Sequence, residues 1–158
     1  MSLAIVHTRA QLGIDAPSVR VEVHIANGLP AFTMVGLPET AVKESKDRVR
    51  SAIINSHLEF PQRRITVNLA PADLPKHGGR YDLAIALGIL AASEQVPTQK
   101  LKHYEFIGEL ALTGELCGVT AVISAAHASA QQGRTLICPA GNQPVSYTHL
   151  RAHETTSH

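Results

Sequence analysis

The sequence predicts a two-layer α/β domain in which helices pack against a sheet. Short β-branched or alternating runs fill the first third of the chain, and helices alternate with strands after residue 38. Segment 82–92 is apolar enough to be a core helix. The 158 residues suffice for one domain, and no apolar run approaches the roughly 18 residues that a membrane span needs.

Three strands are predicted in the first third, at 4–9, 19–25 and 32–35. Gly13, Pro17 and Gly28 mark the turns between them. In the second strand, apolar residues at every other position from Val19 to Ile25 alternate with polar ones, which is typical of a half-buried strand.

A helix is predicted after the break at Gly36, with its start near Pro38 or Glu39. Helical spacing places one set of residues on its buried face: Val42, Ser45, Val49, Ala52 and Ile53. A strand at 65–69, a loop at 73–80 and the core helix at 82–92 follow.

The rest of the chain alternates in the same way. We predict a strand at 103–110, a hairpin turn at 113–115 that returns through 116–117, and an alanine-rich helix at 121–132. Gly133 ends that helix, and a final strand covers 135–138.

Charge is unevenly distributed, although the net charge is only +1. Residues 43–80 carry eight basic and four acidic residues, whereas both flanking segments are net negative. This basic segment is either a solvated helix face or a surface for phosphate and nucleic acid. From charge alone the first interpretation is favoured, because Glu44 with Arg48 and Lys43 with Asp47 have the i,i+4 spacing of ordinary helical pairs.

Three long blocks carry a family resemblance: GLPAFTMVGLPETAVKESKDRVR at 28–50, RITVNLAPADLPKHGGRYDLAIALGIL at 64–90 and FIGELALTGEL at 106–116. Together they closely resemble the N-terminal domain of the YifB/ComM family of magnesium-chelatase-like AAA+ ATPases. The resemblance implies a fold like the proteolytic domain of Lon, shared with the C-terminal domain of RadA-type recombination proteins. It also implies a hexameric ATPase that acts on DNA as a branch-migration helicase in natural transformation. A cytoplasmic location is expected from the cysteine content, because Cys117 and Cys138 are too few and too far apart for a disulfide framework.

The same resemblance bears on peptidase activity. In Lon-type proteases the nucleophilic serine follows a stretch comparable to 75–79, where this chain has Arg80. The partner lysine corresponds to Ile123 in an ungapped comparison from Gly108. A nucleophile needs an activating base within hydrogen-bond reach, which isoleucine cannot supply. We therefore predict no catalytic residue, and a Lon-like hydrolase is the least favoured hypothesis.

The loop at 76–80 has two interpretations. Its glycines and the helix start behind it suit a phosphate of DNA or of a nucleotide. Alternatively, the glycines only permit a tight loop, and Arg80 pairs with Asp82 or Glu109. The candidate DNA- or phosphate-binding residues are Lys43, Lys46, Arg48, Arg50, Lys76, Gly78, Gly79 and Arg80.

No cofactor is predicted within this chain. It contains no G-x-x-x-x-G-K-[ST] loop, so ATP and Mg²⁺ are expected only in the AAA+ module that follows this domain in the family. The histidines lack metal-ligand spacing, and no metal site is predicted. DNA and other copies of the chain in a ring are the expected partners, and no membrane partner is expected. The alternative function is a pure oligomerisation or protein-interaction module.

Residues 145–158, VSYTHLRAHETTSH, show neither the hydrophobic periodicity nor the turn residues of the preceding segments. They resemble the translation of a transposase adapter used in sequencing libraries. We interpret them as non-native and assign the domain to residues 1–144. His149, His153 and His158 are therefore not interpreted as a metal site.

Overall fold

The computed structural model describes residues 2–140 and shows a mixed sheet with helices packed against it. The strands are β1 (Ser2–Arg9), β2 (Ser18–Ala26), β3 (Ala31–Val35), β4 (Arg64–Ala70), β5 (Tyr104–Phe106), β6 (Glu109–Leu110), β7 (Leu116–Cys117) and β8 (Thr135–Ile137). The helices are α1 (Thr40–Lys43), α2 (Ser45–Asn55), α3 (Asp82–Ala92) and α4 (Val122–Gln131), and a 3₁₀ helix spans Leu101–His103. This confirms the predicted α/β class, while the segment 145–158 lies outside the described residues.

Six strands form the main sheet in the order β3-β4-β2-β1-β5-β8. β2 is antiparallel to both β1 and β4, and the remaining neighbours are parallel. β6 and β7 form a separate antiparallel hairpin, whose turn contains Gly114 at a φ of 98°. The hairpin predicted around 113–115 is therefore confirmed.

Helix α3 packs across β1 and β2 and supplies much of the core. Its observed bounds are the predicted ones, and nine of its 11 residues are buried. Gly88 permits close packing on the sheet, since a Cβ there would lie 2.5 Å from a methyl group of Val23. Helix α2 packs on α3. All five residues of the predicted inner face are buried, Val42 on α1 and the others on α2: Ser45, Val49, Ala52 and Ile53.

The single strand predicted at 103–110 is wrong. β5 lies in the main sheet, but β6 belongs to the hairpin. Between them, the N–H of Gly108 donates to the carbonyl of Arg80, and its own carbonyl accepts from the N–H of Leu83, both at 3.0 Å. These bonds hold the chain against the start of α3, so it does not continue along the sheet.

The first helix begins slightly later than predicted and is broken. Pro38 stays outside it because it forms a parallel bridge with Lys76, and Glu39 is the N-cap residue. A break at Glu44 then separates α1 from α2.

A buried charge network joins β1, β5 and α4. Glu105 is fully buried and accepts bonds from Nε and Nη2 of Arg9 at 2.7 and 3.0 Å. The hydroxyl of Ser129 and Nη1 of Arg134 also donate to it. Burial acts to raise the pKa of Glu105, but the hydrogen bonds from Arg9, Ser129 and Arg134 outweigh it and hold the pKa below its ordinary value.

Candidate functional site

Three of the predicted site cations lie on the surface of α1 and α2. Lys43 and Arg50 are exposed and Lys46 is half-buried. The guanidinium of Arg50 lies 5.0 Å from the centre of the Phe60 ring, a cation–π arrangement that keeps its charge at the surface. Within residues 2–140 none of these three cations forms an ion pair, so the i,i+4 pairing of Lys43 with Asp47 is not formed.

Arg48 has a different environment from its neighbours on α2. It pairs with Asp82 and not, as its spacing suggested, with Glu44: Nε and Nη2 donate to the two carboxylate oxygens at 2.7 and 3.1 Å. Asp82 is fully buried and also accepts the N–H of Leu110 at 3.1 Å. Burial raises the pKa of Asp82, and the bonds from Arg48 oppose that shift. Arg48 thus connects α2 with the start of α3, and Asp82 in turn accepts a bond from β6.

Lys76 is fully enclosed. Its Nζ donates to the carbonyl of Gly36 at 2.6 Å and to the carbonyl of Pro71. Burial lowers the pKa of Lys76. The ammonium therefore ties the loop after β4 to the end of β3, and it faces backbone carbonyls and not solvent.

We expect Lys76→Met to lower the free energy of unfolding by about 2–6 kcal/mol, because two part-buried carbonyls would lose their charged donor at about 1–3 kcal/mol each. Urea denaturation of the purified chain measures this change. The exposed Lys100 offers a control, and Lys100→Met should stay within about 0.5 kcal/mol of the unmodified chain. Similar stabilities for the two variants would contradict the structural role of Lys76.

The other three predicted residues, Gly78, Gly79 and Arg80, line a pocket of about 530 Å³. Its walls come from the loop around Gly13, from 77–81, from 118–120 and from the side chain of Glu109. The pocket thus lies where the loops before α3 and α4 meet.

The predicted pairing of Arg80 with Asp82 or Glu109 is wrong. Nε of Arg80 donates to the carbonyl of Arg9 at 2.9 Å, and Nη1 donates to the carbonyl of Thr120 at 3.0 Å. Glu109 lies instead against Gly79, where an added Cβ would be 2.4 Å from its Oε1. Gly79 therefore leaves room for the side chain of Glu109.

Gln11, Gly13 and Thr120 also line the pocket, and none of them was predicted as a site residue. The side chains of Gln11 and Thr120 meet there at 3.0 Å, although they are 109 residues apart in the chain. Gly13 was identified as a turn residue, which places it on a loop. No local motif connects these segments, so only the folded chain brings them together.

Residues 2–140 provide no site that fits the ATP and Mg²⁺ of the expected ATPase. The sequence has no Walker A loop. Within residues 2–140, His, Cys, Asp and Glu side chains form no group of three or more that could hold a metal ion. No helix in the same range combines the length and the apolar character needed to cross a membrane.

Comparison with known proteins gives concordant matches over nearly the whole described chain. The family model described as subunit ChlI of Mg-chelatase matches residues 21–142. The uncharacterized protein YifB of Salmonella typhimurium is 64% identical over 142 residues, which cover 90% of this chain and 28% of that protein. Competence protein ComM of Haemophilus influenzae is 61% identical over 137 residues, or 87% of this chain and 27% of ComM.

A more distant match extends the same pattern. An uncharacterized protein of Mycobacterium bovis is 39% identical over 145 residues, which cover 91% of this chain and 29% of that protein. The chain therefore spans less than a third of the length of these relatives.

Proposed function

This chain belongs to the YifB/ComM family of magnesium-chelatase-like proteins, and from that membership we propose that it is the N-terminal accessory domain of a hexameric AAA+ ATPase that acts on DNA. The observation that carries the proposal is the 61% identity with a protein named for competence. For the complete protein we propose branch migration of incoming DNA in the cytoplasm. ATP and Mg²⁺ would be bound outside this chain, in the part that the longer relatives possess.

The proposed DNA contact is the exposed basic face of α1 and α2. Lys43, Lys46 and Arg50 present charges there without an ion-pair partner in residues 2–140. Cations of this kind bind phosphates by releasing condensed counterions, which makes the affinity depend on salt. Arg48 is half-buried in its pair with Asp82 and Lys76 is fully enclosed, so both are suited to holding this part of the fold in place.

We expect the double variant Lys43→Glu/Lys46→Glu to weaken DNA binding and to flatten its salt dependence. Two lost phosphate contacts should reduce the slope of log K against log salt by about 2. Fluorescence anisotropy with a labelled duplex, titrated at several salt concentrations, gives the slope for each protein.

The matched control is Lys100→Glu/Lys102→Glu, which changes the charge equally at two exposed lysines near the 3₁₀ helix. Its slope should equal that of the unmodified chain. Equal slopes for all three proteins, or DNA binding without salt dependence, would contradict a DNA contact at the basic face of α1 and α2.

An apolar groove supports a second candidate, an oligomerisation module. Leu101, Tyr104, Phe106 and Ile137 line this groove of about 620 Å³ beside β5 and β8. Leu101, Tyr104 and Phe106 are half-buried, so the groove keeps part of its apolar lining open to a partner surface. Self-association in size-exclusion chromatography that persists at high salt and without DNA would favour this candidate over the first.

A further inference from the structure

Strand β3 has one free edge. It lies at the end of the main sheet, and among the described residues it pairs only with β4. The N–H of Ala31 donates to the carbonyl of Arg63 at 3.2 Å, on the β4 side. Successive residues of a strand direct their backbone groups to opposite sides, so those of Thr33 also face β4. The N–H and C=O groups of Phe32 and Met34 therefore face outwards and have no partner in residues 2–140.

This edge lacks the features that usually protect an unpaired strand. Exposed edges are normally very short, bulged, charged or interrupted by proline. β3 has five residues, AFTMV, none of which is charged or proline, and its register with β4 contains no bulge. At the other end of the sheet, β8 has only three residues. An unprotected edge with free donors and acceptors is a template for another strand.

One face of this edge is partly apolar. Val35 is 44% exposed, and Leu37, just after the strand, is 56% exposed. Met34 belongs to the core, so Thr33 and Val35 lie on the face of the sheet opposite α2 and α3. An added strand would place every second side chain beside them, where apolar or β-branched residues form favourable cross-strand pairs.

The other face of the same edge is basic. The Phe60 ring lies 5.6 Å from the ring of Phe32 in β3 and 5.0 Å from the guanidinium of Arg50. Arg50 is therefore close to the free edge, on the side of the sheet that α2 covers. Lys46 and Lys43 precede it by 4 and 7 positions and extend the charge along the helices. These three cations outnumber the two exposed carboxylates of the same stretch, so acidic side chains suit this face.

We propose that the free edge of β3 binds an extended acidic segment of a partner protein by strand addition. Its acidic side chains would face α2, and the alternate apolar or β-branched ones would lie beside Thr33 and Val35. The proposal goes beyond the DNA contact, which uses the cations of α1 and α2 but not the strand edge.

Two other occupants are less suitable. Pairing of β3 with β3 of a second copy about a two-fold axis would bring the same cations together. The phosphate oxygens of a nucleic acid accept hydrogen bonds, but they cannot donate to the outward carbonyls of Phe32 and Met34.

The test measures amide hydrogen exchange by NMR in the full 158-residue chain. The probe is a peptide of about six residues that alternates valine with glutamate. An amide covered in the complex exchanges only from the free protein, so peptide at about ten times its Kd should slow Phe32 and Met34 about tenfold. The amide of Gln99, in an exposed turn, should be unchanged. Absence of a saturable slowing at Phe32 and Met34 would overturn the proposal.

The same amides identify the other occupants. Slowing that rises with protein concentration in the absence of peptide would place a second copy at the edge, and slowing by a DNA duplex alone would place nucleic acid there. Either result would overturn the proposal. A peptide with lysine in place of glutamate should bind at least about tenfold more weakly, and equal affinity would contradict the role of charge.

Substitution of Met34 tests the backbone contact. Met34→Pro removes an outward N–H that β4 does not use, at an edge position where proline is tolerated. It should bind the acidic peptide at least about ten times more weakly than Met34→Leu, which loses the same side chain but keeps the N–H. Equal affinities would overturn strand addition. If Met34→Pro does not fold, the exchange measurement on the unmodified chain still decides the question.

Substitution of Arg50 tests the charge contact. Arg50→Gln should lower the affinity for the acidic peptide about threefold, because one exposed ion pair is lost. The matched control is Lys100→Gln, at an exposed lysine near the 3₁₀ helix, which should bind as the unmodified chain does. Equal affinities of these two variants would contradict the placement of the acidic side chains towards α2.

Discussion

Glu105→Gln is expected to lower the free energy of unfolding by about 3–5 kcal/mol, the usual result of removing one partner from a buried ion pair. The carboxylate of Glu105 is fully buried, and Arg9 is only 4% exposed. Glutamine would leave the Arg9 guanidinium buried without a counter-charge, and its amide nitrogen cannot accept the bonds that a carboxylate oxygen accepts. Urea denaturation at neutral pH measures the loss.

The control is Glu22→Gln, which affects an ion pair with the exposed Arg20 at 2.8 Å. Ion pairs with an exposed partner contribute little, and the glutamine oxygen can still accept the bond that Nδ2 of Asn68 donates to Glu22, so this change should cost less than about 1 kcal/mol. A loss for Glu105→Gln no larger than for Glu22→Gln would show that the network does not stabilise the fold.

The effect of Glu105 should also depend on pH in a defined direction. Its hydrogen bonds hold its pKa below the ordinary value of 4.5, so folding favours the ionised form. The stabilisation is then complete above about pH 4.5 and disappears as the pH falls through the lower native pKa. The stability gap between the unmodified chain and Glu105→Gln should therefore narrow only on the acid side.

Gly36→Ala is the second change with a large expected effect. Gly36 has a φ of 104°, and an added Cβ would lie 2.2 Å from the carbonyl oxygen and 2.7 Å from the nitrogen of Leu69. These are backbone atoms of β4, which is hydrogen-bonded on both sides in the sheet and cannot move aside. We expect a loss of at least about 4 kcal/mol, or no cooperative unfolding transition in a thermal melt.

Gly13→Ala provides the matched control. Gly13 also has a positive φ, 61°, but nothing lies within 4 Å of an added Cβ. Gly13→Ala should lower the free energy of unfolding by only about 1–2 kcal/mol, the cost of placing an L-residue in the left-handed conformation. Equal losses in the two variants would show that the contact with Leu69 is unimportant.

Local pattern was sufficient for α3 and for the buried face of α1 and α2, but not for the break between α1 and α2 or for places where distant segments meet. The bounds of α3 and the buried face of α2 were predicted correctly because helical periodicity is contained in neighbouring residues. The strand at 103–110 was wrong because Gly108 bonds to Arg80 and Leu83, which are at least 25 residues away in the chain. The residues adjacent to Gly108 in the sequence therefore cannot predict where this strand ends.

The candidate site shows the same limit for charge. A lysine or arginine in a sequence is expected at the surface, and Lys43 and Arg50 are indeed exposed. Lys76 and Arg80 are buried, and the backbone carbonyls of Gly36 and Arg9 accept hydrogen bonds from them. Residue type predicts that a cation is present, but only tertiary contacts decide what it faces.

The place of β1 in the middle of the sheet has a consequence for synthesis on the ribosome. β1 is made first, yet its neighbour β5 and its partner Glu105 follow Arg9 by 96 residues. At about 5–20 residues per second, the nascent chain waits about 5–20 s before that edge of β1 can be covered. The first half of the domain therefore leaves the ribosome with the β5-facing edge of β1 unpaired. During this interval a chaperone would protect that edge from aggregation.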